Sequence, residues 1–399
     1  MAEIRPFRAL RFTPEAGDMR ELVCPPYDII SESQRLSYLK RNPHNIIRLE
    51  LPRDGADPYA EAGRTLREWL EQGILRQDEQ PAFYCYEIAF DLPGMSDISG
   101  MMGGRRSVAG LIAQVKLEEF SKGIVLPHEE TLSKAKADRF ELMKATGCNF
   151  SDVYALYMDD GGEMETLDTL ELIMREAPLT EVTDEAGLVH RLWAVTDPTL
   201  TAAIQARFAD TKLYIADGHH RYETALRYRD TLRAEGVPEG TEADYIMMML
   251  VEMDHPGLVV LPTHRLIRGL QGFDPAALLE SCRAEFDVLP GLTLESLDET
   301  LENAYQAGQK AFGFYTGGES FTLLTLRDEA VMDAALPELS PASRHLDVNV
   351  LHTLILERRL GIDKRNMAAG VNLTYTRSLR EALDDVEAGA YQAAFLLNP

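Results

Sequence analysis

The sequence predicts an α+β fold, a mixed α/β arrangement with mixed sheets, and three observations carry that expectation. Helix and strand signals alternate without the regular β-α-β order of a doubly wound parallel fold. Several short runs alternate apolar with polar residues, as half-buried strands require, while others repeat apolar residues at helical spacing. The chain has 399 residues, 45% hydrophobic and 26% charged, enough to bury cores in two or three domains of about 150 residues each.

Residues 1–104 read as an N-terminal α/β segment. CPPYDII is turn-like, and Ser31 with Gln34 forms a capping box that opens a helix. Asp57 and Pro58 open the next helix, whose apolar stripe is Ala62, Leu66, Trp69 and Leu70 and whose stop is Gly73. PAFYCYEIAF reads as a strand, and the Gly/Met/Ser-rich stretch from Pro93 to Gly104 reads as an exposed loop.

Residues 105–270 read as a central domain. Leu111, Ala113, Val115 and Leu117 alternate with Gln114, Lys116 and Glu118 in a half-buried strand. Residues 133–145 are helical in composition, VYALYM is strand-like, and Asp197-Pro198 starts a helix that runs to Phe208. KLYIADGHHRYETALRYRDTLR passes from a buried strand through a tight turn into a helix. IMMMLVEM and LVVLPTHRLI read as two strands joined by the Asp254-His255-Pro256-Gly257 turn. Residues 271–399 read as a C-terminal α/β segment. Its helices are PAALLESCRAEF and VNVLHTLILERRL, the latter stopped by Gly361, and its strands are AFGFYTG, FTLLTL and AAFLLN.

Forty Lys and Arg residues against 65 Asp and Glu leave a net charge of −25. Such a surface repels phosphate backbones and anionic lipid, so neither nucleic acid nor membrane is an expected partner. An anionic substrate must be drawn in by a local cluster of cations. Cys24, Cys85, Cys148 and Cys282 are far apart and form no C-x-x-C pair, so reduced thiols are expected rather than zinc or a disulfide framework. MAEIRPFRALRF carries charges where a signal peptide needs an apolar core, and no run approaches the roughly 18 apolar residues of a membrane span. A cytoplasmic protein is expected.

Against that charge, the strongest signal is IADGHHRYETAL. A strand that ends in Asp217-Gly218 and opens a helix with His219-His220-Arg221 concentrates polar groups at a helix N-terminus, which favours an anion. Gly218 permits the tight turn, Arg221 offers a bidentate fork for phosphate or carboxylate, and the two imidazoles can each give or take a proton. The bland alternative is that Asp217 caps the helix and the histidines are satisfied structural groups. A shared zinc is disfavoured because adjacent helical residues point about 100° apart.

The second cluster is PHEETLSKAKADRF, where His128 and Glu129 precede a helix with Lys134, Lys136 and Arg139. A carboxylate beside a histidine, near three cations, suits a general base acting on a phosphorylated substrate. The alternative is an exposed, charged helix entrance. Arg105-Arg106 and His264-Arg265 are weaker candidates at strand ends. Cys24 and Cys148 have no histidine nearby in sequence, and the P-loop and nucleophile-elbow motifs are absent.

IRPFRAL, CPPYDII, NPHNIIRLELP, PHEETLSKAKADRF, IADGHHRYETAL, LPTHRLI and LDVNVLHTLILE together resemble the bacterial domain-of-unknown-function family numbered 1015. The D-G-H-H-R turn resembles the ParB/sulfiredoxin superfamily, whose corresponding strand–turn–helix holds nucleotide phosphates. It is similar in particular to the free-serine kinases of that superfamily, which carry a D-G-H-x-R turn and an upstream catalytic glutamate in an H-E setting. The resemblance implies a ParB/sulfiredoxin-like central region, with Glu129, Asp217, His219 and His220 catalytic. Gly218, Arg221, His128, Lys136 and Arg139 would hold the phosphate or other anion. It further implies Mg²⁺ held through Asp217 together with ATP or ADP, and no zinc, haem or flavin. Family genes often lie beside serine-biosynthesis genes. The implied activity is therefore a nucleotide-dependent phosphotransferase acting on serine or phosphoserine. A phosphatase on a small phosphorylated metabolite and a nucleotide- or anion-binding regulatory module without turnover are the alternatives. Where this chain has Cys24 and Cys148 the family often has alanine, which again argues against thiol chemistry. Relatives are expected to continue past the strand that ends here at Asn398-Pro399.

Overall fold

The structure is a computed structural model that describes residues 2–91, 105–128, 133–159, 165–259 and 261–398. It has the expected α+β character and divides into two compact units, one of residues 2–91 and 105–258, the other of residues 259–398. The loop expected from Pro93 to Gly104 lies outside the described residues.

In chain order the strands of the first unit are β1 (Ile4–Arg5), β2 (Leu10–Phe12), β3 (Leu75–Gln77), β4 (Phe83–Asp91), β5 (Arg105–Lys116), β6 (Val125–Leu126), β7 (Val153–Tyr157), β8 (Thr180–Thr183), β9 (Val189–Val195), β10 (Leu213–Asp217) and β11 (Tyr245–Glu252). Among the described residues nine of them form one mixed sheet in the order β6-β10-β7-β11-β5-β4-β9-β8, with β1 on β5, while β2 and β3 pair separately. The alternating pattern of β5 produces its long pairing with β4, from Tyr84 opposite Ile112 to Asp91 opposite Arg105. Strands on either side of residues 92–104 thus share one sheet. Leu111, Ala113, Val153, Ala155 and Leu250 are fully buried at its centre, against Ile204, Phe208, Tyr222 and Ala225 from two helices.

The helix signals act as read. Ser31 and Gln34 complete a capping box at the start of Glu32–Arg41, Asp57 caps Pro58–Glu71, and Asp197 caps Pro198–Phe208 with two backbone N–H bonds. Leu70 is a correction: it is 39% exposed, and the buried stripe is Ala62, Gly63, Leu66 and Trp69. Its neighbour Trp69 occupies the inward position of that turn, which rotates Leu70 outward.

The strands of the second unit are β12 (His264–Ile267), β13 (Phe286–Leu292), β14 (Ala311–Tyr315), β15 (Phe321–Leu326), β16 (Leu373–Thr376) and β17 (Ala393–Leu396). They form an antiparallel sheet in the order β13-β15-β14-β17-β12-β16. LVVLPTHRLI is therefore shorter as a strand than its sequence suggests, and it pairs with β16 and β17 rather than continuing from β11. Pro262 has no N–H to give a ladder, so pairing begins after it. The helical run VNVLHTLILERRL contains a π-helical stretch, Leu351–Glu357, whose Leu351, Leu354, Ile355 and Leu356 are fully buried, and Gly361 ends it at φ +69°. No helix among the described residues is long and apolar enough to cross a membrane.

Three helices of the first unit stack in series. Ser133–Thr146 packs on His219–Ala234, with Arg227 over the Phe140 ring at 4.1 Å. Pro58–Glu71 packs in turn on Ser133–Thr146 at Gly63, where an added Cβ would lie 2.7 Å from the Ala145 carbonyl oxygen. Gly63→Val should therefore force these helices apart and destabilise the protein by about 1–3 kcal/mol. A urea unfolding midpoint equal to wild type would contradict that.

Candidate functional site

β10 runs parallel to β6 and antiparallel to β7. Three segments therefore meet where β10 ends: the outgoing Asp217-Gly218, the chain that enters β7 at Asp152, and Pro127-His128 after β6. Gly218 turns the chain with φ +92° and ψ 23°, a left-handed conformation that costs glycine nothing. A Cβ there would stand 3.0 Å from Arg221 Nε, so the glycine also admits the guanidinium. Gly218, which has no side chain to give a capping bond, is the N-cap of His219–Ala234. Asp217 is accordingly not a cap. Its Oδ2 accepts from Arg221 Nη2 at 2.5 Å, while Arg221 Nη1 donates to the Asp152 carbonyl.

The histidines form the other side of the corner. His219 is 2% exposed and lies edge-on to His128, with ring centroids 4.6 Å apart. His219 Nε2 accepts from the His128 backbone N–H at 3.2 Å, and His128 Nδ1 lies 2.8 Å from the Ile215 carbonyl, to which it must donate. This pair ties the segment after β6 to the turn, and His220 beside it is half-buried.

Arg221 also lines a small cleft of about 30 Å³ with Glu50, Arg139, Cys148, Asn149 and Ser151. That is space for one or two water molecules. Arg139 is 7% exposed, donates to the Glu50 carbonyl at 2.8 Å, pairs with Asp138 at 2.7 Å, and stacks over the Tyr27 ring at 4.1 Å. Glu50, 5% exposed, accepts from Ser151 Oγ and has Oε1 3.6 Å from Arg139 Nη1. Burial pushes the Glu50 carboxyl above its ordinary value, against the pull of Arg139, Ser151 and Arg221. Burial likewise raises the Asp152 carboxyl, with Arg221 opposing and Asp217 adding to the rise. Two guanidinium groups thus share their surroundings with four acidic side chains, Glu50, Asp138, Asp152 and Asp217. An anion that replaced a carboxylate on either arginine would keep its charge paired.

The expected residues do not all gather there. Arg221 and Arg139 line the cleft. His128 reaches His219, Asp217 sits 65% exposed at the corner, and Lys136 is turned to Glu223 at 2.6 Å. Glu129 lies outside the described residues. Arg105 and Arg106 lie in the part of β5 that pairs with Asp91 and Phe90, and His264-Arg265 belongs to the second unit. Burial raises the thiols of Cys148 and Cys24, the latter to about 12, which removes the thiolate a nucleophile needs. Among the described residues no three His, Cys, Asp or Glu side chains are placed to hold a metal.

Tyr27, Glu50, Ser151 and Asp152 were not anticipated. Their signal was a lone acid in the apolar run IIRLELP, where Ile47, Leu49 and Leu51 are buried, because an acid at such a position needs a partner or a purpose.

The model of the family described as protein of unknown function (DUF1015) matches residues 4–349. No curated protein matches the chain. Among solved structures, a conserved hypothetical protein from Pyrococcus furiosus is similar at 16% identity and TM-score 0.28, covering 72% of this chain and 79% of that one. A free serine kinase in complex with AMP is similar at 14% identity and TM-score 0.29, covering 72% and 76%. A mutant free serine kinase in complex with ADP is similar at 14% identity and TM-score 0.23, covering 72% and 87%. Likeness of this size leaves the chemistry of the site to its own geometry.

The raised Glu50 carboxyl has a consequence for stability. The folded protein holds a proton on Glu50 more tightly than the unfolded chain, whose value is near 4.5. The resulting stabilisation is full below 4.5 and is lost as pH rises through the raised folded value. Relative to Glu50→Gln, wild type should therefore gain stability as pH falls from neutral. Urea midpoints for both proteins across that range would show the difference, and parallel curves would mean that Glu50 titrates as in water.

Proposed function

We propose that this chain, which belongs to the DUF1015 family of proteins of unknown function, is a nucleotide-dependent phosphotransferase acting on serine or phosphoserine. The observation that carries the reading is the convergence of Arg139 and Arg221 on one cleft beside the start of His219–Ala234. Two guanidinium forks and the positive end of a helix favour a phosphoryl group, and on a chain of net charge −25 they supply the local field that such a group needs. The sequence motifs add the substrate class.

In this reading the phosphoryl group lies against Arg221, which exchanges Asp217 for phosphate oxygens, and against Arg139. Glu129 takes the proton from the serine hydroxyl as the new O–P bond forms and the bond to the nucleotide's leaving oxygen breaks. The arginines and the helix start balance charge on the transferring oxygens. His219 and His128 hold the turn in place, and Glu50 with Tyr27 aims Arg139. Asp217 is exposed and fits a Mg²⁺ that arrives with nucleotide phosphates, since that ion needs only one or two protein carboxylates. When bound it would neutralise phosphate charge. The same two arginines would serve one second reading, a phosphatase on a small phosphorylated metabolite, which would release phosphate without a nucleotide.

Incubation with serine and ATP or ADP, followed by ³¹P NMR, should show phosphoserine. Arg221→Lys keeps the charge but loses the fork, so calorimetric titration with phosphoserine, ATP and ADP should show a loss of about 1–3 kcal/mol. Equal affinity in both proteins for every ligand that binds would make Arg221 a structural residue and remove this site.

A further inference from the structure

We infer that Arg265 in the second unit is a second anion site, which takes the carboxylate or phosphate of a small metabolite through its guanidinium fork. Arg265 lies on β12, an interior strand between β16 and β17, opposite Tyr375 and Phe395. It is 6% exposed. Arg35 and Arg139 are buried to a similar degree, and both have carboxylate partners: Glu32 and Asp54 for the first, Asp138 and Glu50 for the second. Arg265 has none among the described residues. Its Nε donates to His352 Nε2 at 3.3 Å, its Nη1 donates to the Thr263 carbonyl, and the Tyr375 ring lies 5.4 Å from its central carbon.

None of these neighbours balances its charge. His352 accepts through Nε2 and is therefore neutral, and burial with the adjacent Arg265 holds its pKa down to about 4. His264, the next residue on the strand, is turned to the other side of the sheet, where Nδ1 accepts from the Leu397 N–H at 3.2 Å. Burial lowers His264 to about 4 as well. A guanidinium withdrawn from water is stable when an anion completes its bonding, and Nη2 remains for the second arm of a bidentate pair. Tyr375 is 44% exposed, so its ring is the accessible cover over the group.

The backbone opposite is specialised too. His352 sits in the π-helical stretch Leu351–Glu357, with wide-turn bonds such as Arg358 N to Thr353 O at 3.3 Å and Leu360 N to Ile355 O at 3.1 Å. Such stretches are rare and recur at functional sites. LPTHRLI and LDVNVLHTLILE, far apart in the sequence, thus meet at one buried cation.

The test monitors the His352 imidazole nitrogens of wild type by ¹⁵N NMR during titration with inorganic phosphate and, separately, acetate. A saturable shift at millimolar concentration is expected with at least one probe. Phosphate alone would assign a phosphate-bearing ligand, acetate alone a carboxylate. Arg265→Lys should raise the half-saturating concentration about tenfold, while Arg221→Lys should leave it unchanged, which separates this site from the first. No His352 shift in wild type with either probe, or the same half-saturation in Arg265→Lys, would overturn the inference, and the wild-type titration decides it even if the variant does not fold.

Discussion

The Arg221 guanidinium joins the end of one strand to the start of its antiparallel neighbour, and the arrangement of the first unit's site depends on that junction. One arm holds the Asp152 carbonyl at the mouth of β7, and the other holds Asp217 at the end of β10. The junction needs a residue without a Cβ at position 218, both for the left-handed turn and for the approach of the guanidinium. With the turn set, the direction of His219–Ala234 is set. Ser133–Thr146 docks on it through Lys136 and Glu223, and Pro58–Glu71 docks on that helix at Gly63. Arg139 reaches Glu50 because of this stacking.

The electrostatics of the cleft derive from the same geometry. Arg139 and Arg221 are balanced without ligand by Glu50, Asp138 and Asp217, so an arriving phosphate has to displace carboxylates rather than fill a waiting charge. Burial raises the carboxyls of Glu50 and Asp152 beside the same arginines. Arg265 presents the opposite case, a buried cation whose described neighbours are a neutral imidazole, a carbonyl and a ring.

Much of the local structure was legible in the sequence because local chemistry decided it. Ser31 with Gln34, Asp57 with Pro58, and Asp197 with Pro198 mark helix starts through bonds to residues two or three positions away. The strand–turn–helix at Asp217–Arg221 was legible for the same reason. What depended on distant partners was not. The two-residue strands β1 and β6 have no period to read, and the partners of β12 are β16 and β17, more than 100 residues on, which a turn after β11 does not announce. Glu50 and Tyr27 were missed as site residues because only the tertiary fold brings them to Arg139. Lys136 was read as a phosphate ligand from its charge, whereas Glu223 on the packed helix claims it.

Whether the corner between β10 and β7 binds a phosphoryl group is decided by a crystal structure of the protein grown with ADP and phosphoserine. Phosphate oxygens are expected about 3 Å from the guanidinium nitrogens of Arg221, at the start of His219–Ala234, with Asp217 released from its pairing. Phosphate bound elsewhere in the first unit, while Arg221 still joins Asp217 and Asp152 as it does without ligand, would contradict that expectation.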